Sequence, residues 1–195
     1  MVGVALLVGG CEKPTPIQGV PYDKLEYREG ILYYKGGDEL FTGTAIEFLF
    51  NNRYKGSKIF ERSFVDGILH GAIIKYYEDG TKEAETPWVN GKKNGTAIRY
   101  NRDGSKESET SYVENKWHGT MIKYYEDGTK ESETPYVNGE KHGTEIVYRK
   151  DGSKWGEIPF VDGEKHGTAI SYNREGSKTL EIVFENWDEI SRKEF

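Results

Sequence analysis

The stretch GTMIKYYEDGTKESETPYVNGEKH, residues 119–142, decides the fold because the chain writes it again and again. A Gly followed by Thr or Ala recurs at Gly71, Gly95, Gly119, Gly143 and Gly167, each 24 residues after the last. An earlier copy opens at Gly43 and is stretched to 28 residues by an insertion around Asn51 to Tyr54. A fixed period of roughly 20 to 50 residues means supersecondary units stacked on one another, each burying its apolar side against its neighbours.

Counting from the opening Gly as position zero, position 3 is Ile in every copy: Ile46, Ile74, Ile98, Ile122, Ile146 and Ile170. Position 5 is aromatic: Phe48, Tyr76, Tyr100, Tyr124, Tyr148 and Tyr172. Position 17 is aromatic too, as Phe64, Trp88, Tyr112, Tyr136, Phe160 and Phe184. Alternation with period two around Ile and Tyr reads as strand, and no 3.6-residue pattern competes with it. Between the strands lies Glu126-Asp127-Gly128-Thr129 or a close variant, a strong hairpin signal.

The hairpin register is set by a choice between two loops. A two-residue loop places position 4 opposite 13, and a three-residue loop with Gly in the left-handed region places 4 opposite 12. Positions 4 and 12 hold Lys75 with Glu83, Arg99 with Glu107 and Lys123 with Glu131, then change together to Val147 with Trp155 and Ser171 with Thr179. Residues that change together in this way face one another, which selects the three-residue loop. That register predicts positions 1, 3, 5, 11, 13, 15 and 17 on one face, so that Ile and both aromatics share a side. The second turn, Val137-Asn138-Gly139, carries the chain into the next copy.

Composition supports a thin array. Only 35% of residues are apolar and 31% are charged, yet the chain holds 14 Tyr, 8 Phe and 4 Trp, more aromatic residues than a disordered segment carries. The expected fold is all-β: an elongated single-layer antiparallel meander of stacked hairpins. Net charge is -6 with Lys and Arg spread evenly, so no basic stripe tracks phosphates and nucleic acid is not an expected partner. One cysteine excludes an internal disulfide.

Residues 1–10, MVGVALLVGG, are apolar and end at Cys11. Leu7-Val8-Gly9-Gly10-Cys11 resembles the bacterial lipobox, which makes Cys11 a candidate lipidation site and residues 1–10 a truncated signal-like segment. The alternative is a first strand with a buried cysteine. Residues 11–21 read as a Pro-containing tether, 22–42 as an N-terminal capping hairpin, 43–185 as six hairpin repeats and 186–195 as a C-terminal cap. Within that cap, Trp187 and Ile190 lie three apart behind Asn186, which predicts a short helix over the last edge strand.

The pattern G-T-x-I-x-Y-Y-x-D-G-x-K-x-x-E-x-x-Y-V-N-G-x-x-H resembles the variant MORN repeat. With the lead-in Glu29-Gly30-Ile31-Leu32-Tyr33, then Leu40-Phe41-Thr42-Gly43, behind a lipobox, the chain is similar to the YwqK-like antitoxins of toxin–antitoxin systems. The resemblance covers roughly residues 22 to 185. It implies a repeat scaffold that binds a protein partner.

Lys at position 11 and Glu at position 14 are invariant among the copies, including Lys82, Lys106, Lys130 and Lys154 with Glu85, Glu109, Glu133 and Glu157. A reaction needs one catalytic carboxylate, whereas this Glu occurs six times, so the columns read as a structural ladder. His70, His118, His142 and His166 fill position 23. Successive copies stand roughly 9.5 Å apart at about 4.8 Å per strand, too far to share one zinc ion, so these read as turn residues. No HExxH, P-loop, CxxC or Gly-x-Ser-x-Gly occurs. The chain therefore reads as non-enzymatic, with no cofactor and no metal.

The candidate binding face is the aromatic surface of Tyr76, Trp88, Tyr100, Tyr112, Tyr124, Tyr136, Tyr148, Phe160 and Tyr172, since a single layer leaves such residues uncovered. Two functions fit: a scaffold for a protein partner, or an envelope lipoprotein that touches lipid headgroups or cell-wall glycan. The expected place is the cell envelope through the lipid anchor, or the cytoplasm if the N-terminal signal is not a true one.

Overall fold

A computed structural model describes residues 19–49 and 57–195. Among the described residues from Gly43 onward, each long strand pairs antiparallel with the next long strand in the chain, giving one meander of hairpins. In the fourth repeat Lys116–Tyr124 runs out and Lys130–Val137 returns. The all-β single-layer architecture is thus the one the repeat predicts. Cys11 and residues 1–10 lie outside the described residues. The end of the expected tether, Val20–Pro21, is a two-residue strand parallel to Gly43–Leu49.

Both turns follow their residues. Glu126-Asp127-Gly128 is a three-residue loop in which Gly128 takes φ 82° and Asp127 Oδ1 accepts the Thr129 N–H at 2.9 Å. The loop joining the repeats is a two-residue type I′ turn, Asn138 at φ 54° and Gly139 at φ 101°. Successive type I′ turns are tied together, because the Gly139 N–H donates to the Trp117 carbonyl of the preceding turn at 2.8 Å, as Gly163 does to Lys141.

The register departs from expectation one residue beyond the first turn. Tyr124 faces Lys130, as a three-residue loop requires, but Lys123 then faces Ser132 and Ile122 faces Glu133. One residue, Glu131, is inserted as a bulge, and the same shift recurs at Tyr76, Tyr148 and Tyr172. A bulge sets two residues against one on the partner strand. Position 4 therefore faces 12 and 13 together. The Lys75–Glu83 and Arg99–Glu107 pairs are real, at 2.7 and 3.2 Å, yet they do not carry their register down the strand.

Directly opposed residues share a face, so the bulge moves position 17 to the other side. Ile122 and Tyr124 lie on one face and Tyr136 on the other. The expectation that Ile and both aromatics share a side is corrected by this single inserted residue.

The opening Gly of each repeat has a steric reason. Gly143 takes φ 107°, and a Cβ there would lie 3.0 Å from Cγ of Pro135. Gly95 stands the same way against Pro87.

A compact core forms only at the N-terminal end of the described residues. The hairpin of Leu25–Arg28 and Ile31–Tyr34 folds over the first repeat, where Leu25, Leu32, Phe41, Ala45 and Phe64 make one buried cluster. Backbone bonds pin it: Leu32 N–H donates to the Gly67 carbonyl and Phe41 N–H to the Leu32 carbonyl, both at 3.0 Å. Phe41 meets Tyr34 and Phe64 edge-on, ring centroids 5.3 and 5.9 Å apart.

At the C-terminal end the predicted helix is absent. Asp188–Glu194 is a strand paired with Lys178–Glu185. Asn186 and Trp187 adopt φ 50° and 74°, a type I′ turn in place of a helix N-cap. The spacing of three between Trp187 and Ile190 is not helical periodicity, because the register shifts at Ile190 between the pairs Phe184–Glu189 and Val183–Ser191. The exposed edge is left with charged residues, the usual protection of an open strand.

Candidate functional site

Two faces of the sheet carry different chemistry. On the first, opposed residues form an unbroken transverse row: Ile98, Glu109, Ile122, Glu133, Ile146, Glu157, Ile170 and Glu181. Beside it runs the Lys column. In a regular strand residues i and i+3 point to opposite faces, but the bulge at position 12 turns Lys at 11 and Glu at 14 to the same side. The Lys82–Glu85, Lys106–Glu109 and Lys178–Glu181 pairs close at 2.7 Å, and Lys58–Glu61, Lys130–Glu133 and Lys154–Glu157 are paired in the same way.

Glu61, Glu109, Glu133 and Glu157 also bind the next repeat. The Tyr124 hydroxyl donates to Glu109 at 2.9 Å, and Tyr76 donates to Glu61 at 3.1 Å. The longer Tyr148–Glu133 and Tyr172–Glu157 contacts, both 3.4 Å, repeat the arrangement. The Lys106 ammonium, hydrogen-bonded to Glu109, holds that carboxyl below its ordinary range, and Glu109 holds Lys106 above its own. Lys82, Lys130, Lys154 and Lys178 are raised by their Glu partners likewise. The Lys and Glu columns thus form an inter-repeat clamp, and their partners are satisfied internally.

The second face gathers the position-17 aromatics with a column that the sequence alone does not single out. The type I′ turn sets position 22 opposite 17: Trp88 with Lys93, Tyr112 with Trp117, Tyr136 with Lys141 and Phe160 with Lys165. The Lys93 ammonium lies 5.1 Å from the Tyr112 ring and Lys141 lies 4.6 Å from Phe160. Trp117, replacing Lys, meets Tyr136 edge-on at 4.9 Å. An ammonium against a ring is attractive and keeps the long side chain laid across the apolar surface. Position 22 varies among Leu, Lys, Trp and Glu, so no uniform column announced it. Its signal was the two-residue turn, which fixes what faces position 17.

The expected aromatic binding face is therefore divided. Tyr76, Tyr100, Tyr124, Tyr148 and Tyr172 stand with the Ile–Glu row, whereas Trp88, Tyr112, Tyr136 and Phe160 stand with the lysines. The histidines sit at the ends of the type I′ turns, His70 Nδ1 3.2 Å from Asn90 Oδ1 and His142 Nδ1 3.2 Å from Asp162 Oδ1. No helix among the described residues is long and apolar enough to cross a membrane.

Comparison with curated proteins finds no match. Residues 69–90 and 117–138 match the family described as the MORN repeat variant. Each matched segment begins at position 22, spans one long hairpin and ends within the following type I′ turn, and the two lie two repeat periods apart. Over these two segments the chain is similar to repeats that act as non-catalytic scaffolds for protein or membrane-lipid interaction.

Proposed function

We propose that this chain is a non-enzymatic scaffold that binds one protein partner, as an antitoxin-like component held at the cell envelope by a lipid on Cys11. The observation that supports it most is the second face. Its aromatic and Lys side chains are ordered against one another but are covered by no second layer of the described residues beyond the N-terminal core, and aromatic residues held in place offer contact area at little entropic cost. The Lys–Glu–Tyr columns of the first face are occupied with one another, which favours a structural part for them.

Affinity purification of the full chain from its own cells tests the reading: a single stoichiometric protein is expected. Recovery of the chain bound to liposomes or cell-wall glycan with no protein partner would replace it with the surface-interaction alternative. Metabolic labelling with a palmitate analogue should mark the chain and lose the mark in Cys11→Ser; an unlabelled full chain removes the anchor from the proposal.

A further inference from the structure

The second face changes character along the array. Repeats two to four carry the charged pairs Lys75–Glu83 and Arg99–Glu107, with Lys123 and Glu131 in the same places, and Thr86, Thr110 and Thr134 at position 15. In repeats five and six the equivalent residues are Val147 with Trp155, Ser171 with Thr179, and Ile158 and Ile182. A groove of ≈ 260 Å³ opens there, lined by Trp155, Ile158, Ala169, Leu180, Ile182 and Phe184. Gly156 also lines it, and a Cβ at that position would stand 3.1 Å from the Ile170 carbonyl oxygen.

Lys165 also lines this groove, and comparison with the preceding repeat shows what is different about it. Lys141, one period earlier, pairs with Glu145 at 2.9 Å, and Glu145 accepts a second bond from Thr134 at 2.8 Å. The residues equivalent to Glu145 and Thr134 are Ala169 and Ile158. Lys165 consequently has no ion pair among the described residues and rests near the Phe184 and Trp187 rings, at 5.1 and 5.7 Å. Arg192, the cation on the strand beyond Ile182, is already held by Glu189 at 3.0 Å. The groove thus combines an apolar floor with a cation that has Ala169 beside it where Lys141, one repeat earlier, has Glu145.

We propose that this groove receives a short segment of the protein partner, presenting a carboxylate to Lys165 and an aromatic or branched apolar side chain to the floor. The proposal rests on the protein-binding reading above and names its contact. A volume of ≈ 260 Å³ suits one large side chain, and lies below the roughly 300 to 1,000 Å³ of small-molecule sites. The charge that fits is negative, since the site lacks the carboxylate present one repeat earlier.

The test uses the full chain and three probes followed by NMR: N-acetyl-L-phenylalanine, its neutral amide, and octanoate. The carboxylate probe should shift the Trp155 indole N–H and the Ala169 and Leu180 amides at millimolar concentration. The amide should bind about fivefold more weakly, the scale of one partly exposed ion pair. Lys165→Met should abolish that preference. Ala169→Glu, which restores the residue tolerated at Glu145, should weaken the carboxylate probe by a similar factor while the remaining spectrum stays folded. No shift in the natural chain, equal affinity for acid and amide, undiminished binding to Ala169→Glu, or tighter binding of octanoate would each overturn the proposal. The probes decide the groove whatever affinity purification yields. A partner retained undiminished by Ala169→Glu removes the groove and leaves the scaffold reading standing, whereas a natural chain without any protein partner removes the scaffold reading itself.

Discussion

The first repeat and the fourth are built from the same residue pattern and are held together differently. In the first, Phe41 and Leu32 from the N-terminal hairpin cover Ala45 and Phe64, and all four are 2% exposed or less. In the fourth, Ile122 and Tyr136 stay half-buried, and cohesion comes from the ladder, the Lys–Glu–Tyr clamp and the stacking of rings and ammonium groups. A β-hairpin of this kind is marginal alone, and a sheet without a second layer gains its stability from neighbours on either side. The cap supplies a conventional core at one end, and the array extends from it by repetition.

The largest effect that separates the two regions should come from Phe41→Ala. Removing a fully buried ring costs about 3 to 5 kcal/mol, and in a one-dimensional array the loss should fall locally. Hydrogen exchange should quicken in Gly43–Leu49 and Ser57–Val65 far more than in Lys130–Val137. Uniform acceleration along the chain would mean that the repeats have no independent cohesion.

An intermediate effect is expected in the array itself. Gly143→Ala places a Cβ at φ 107° and 3.0 Å from Pro135, whereas Gly128→Ala meets nothing within 4 Å at φ 82°. The first should cost about 1 to 3 kcal/mol in thermal unfolding and the second about 1 kcal/mol. Equal losses would show that backbone conformation alone, and not the approach to Pro135, demands glycine.

The smallest effect is electrostatic. Glu109→Gln should lower stability near neutral pH by about 0.2 to 1 kcal/mol, as partly exposed ion pairs do. The carboxyl of Glu109 is held below its ordinary value by Lys106 and Tyr124, so its stabilisation is complete above the usual range near 4.3 and is lost as pH falls through the lowered value. Stability measured against pH should therefore show the natural chain and Glu109→Gln converging in acid. A gap that persists there would assign the loss to packing.

Much of this molecule could be read without coordinates. The period of the opening glycines, the Asp-Gly loop and the Asn-Gly turn are local signals, because each depends on the φ of one or two residues, and all of them lie where the sequence put them. The C-terminal strand is ambiguous in the same local terms, since Asn186 serves equally as a helix N-cap or as the first residue of a type I′ turn. Only the unpaired edge of Lys178–Glu185 favours the second. The column of Lys93, Trp117, Lys141 and Lys165 is not legible in the sequence, because its importance lies in what it faces and not in its own identity.

By itself, the sequence determined an array of antiparallel hairpins and the places of its two turns. Tertiary structure decided which face each side chain occupies. The exchange of charges between positions 4 and 12 is satisfied by a plain three-residue hairpin and equally by a bulge, in which 12 and 13 oppose 4 together. Only the pairing of Glu133 with Ile122 on one side and with Ile146 on the other distinguishes them. With period-two geometry one inserted residue reverses everything beyond it. That reversal brings Lys and Glu together as a clamp, separates the two sets of aromatics and leaves the groove beside Trp155 on the face opposite the clamp.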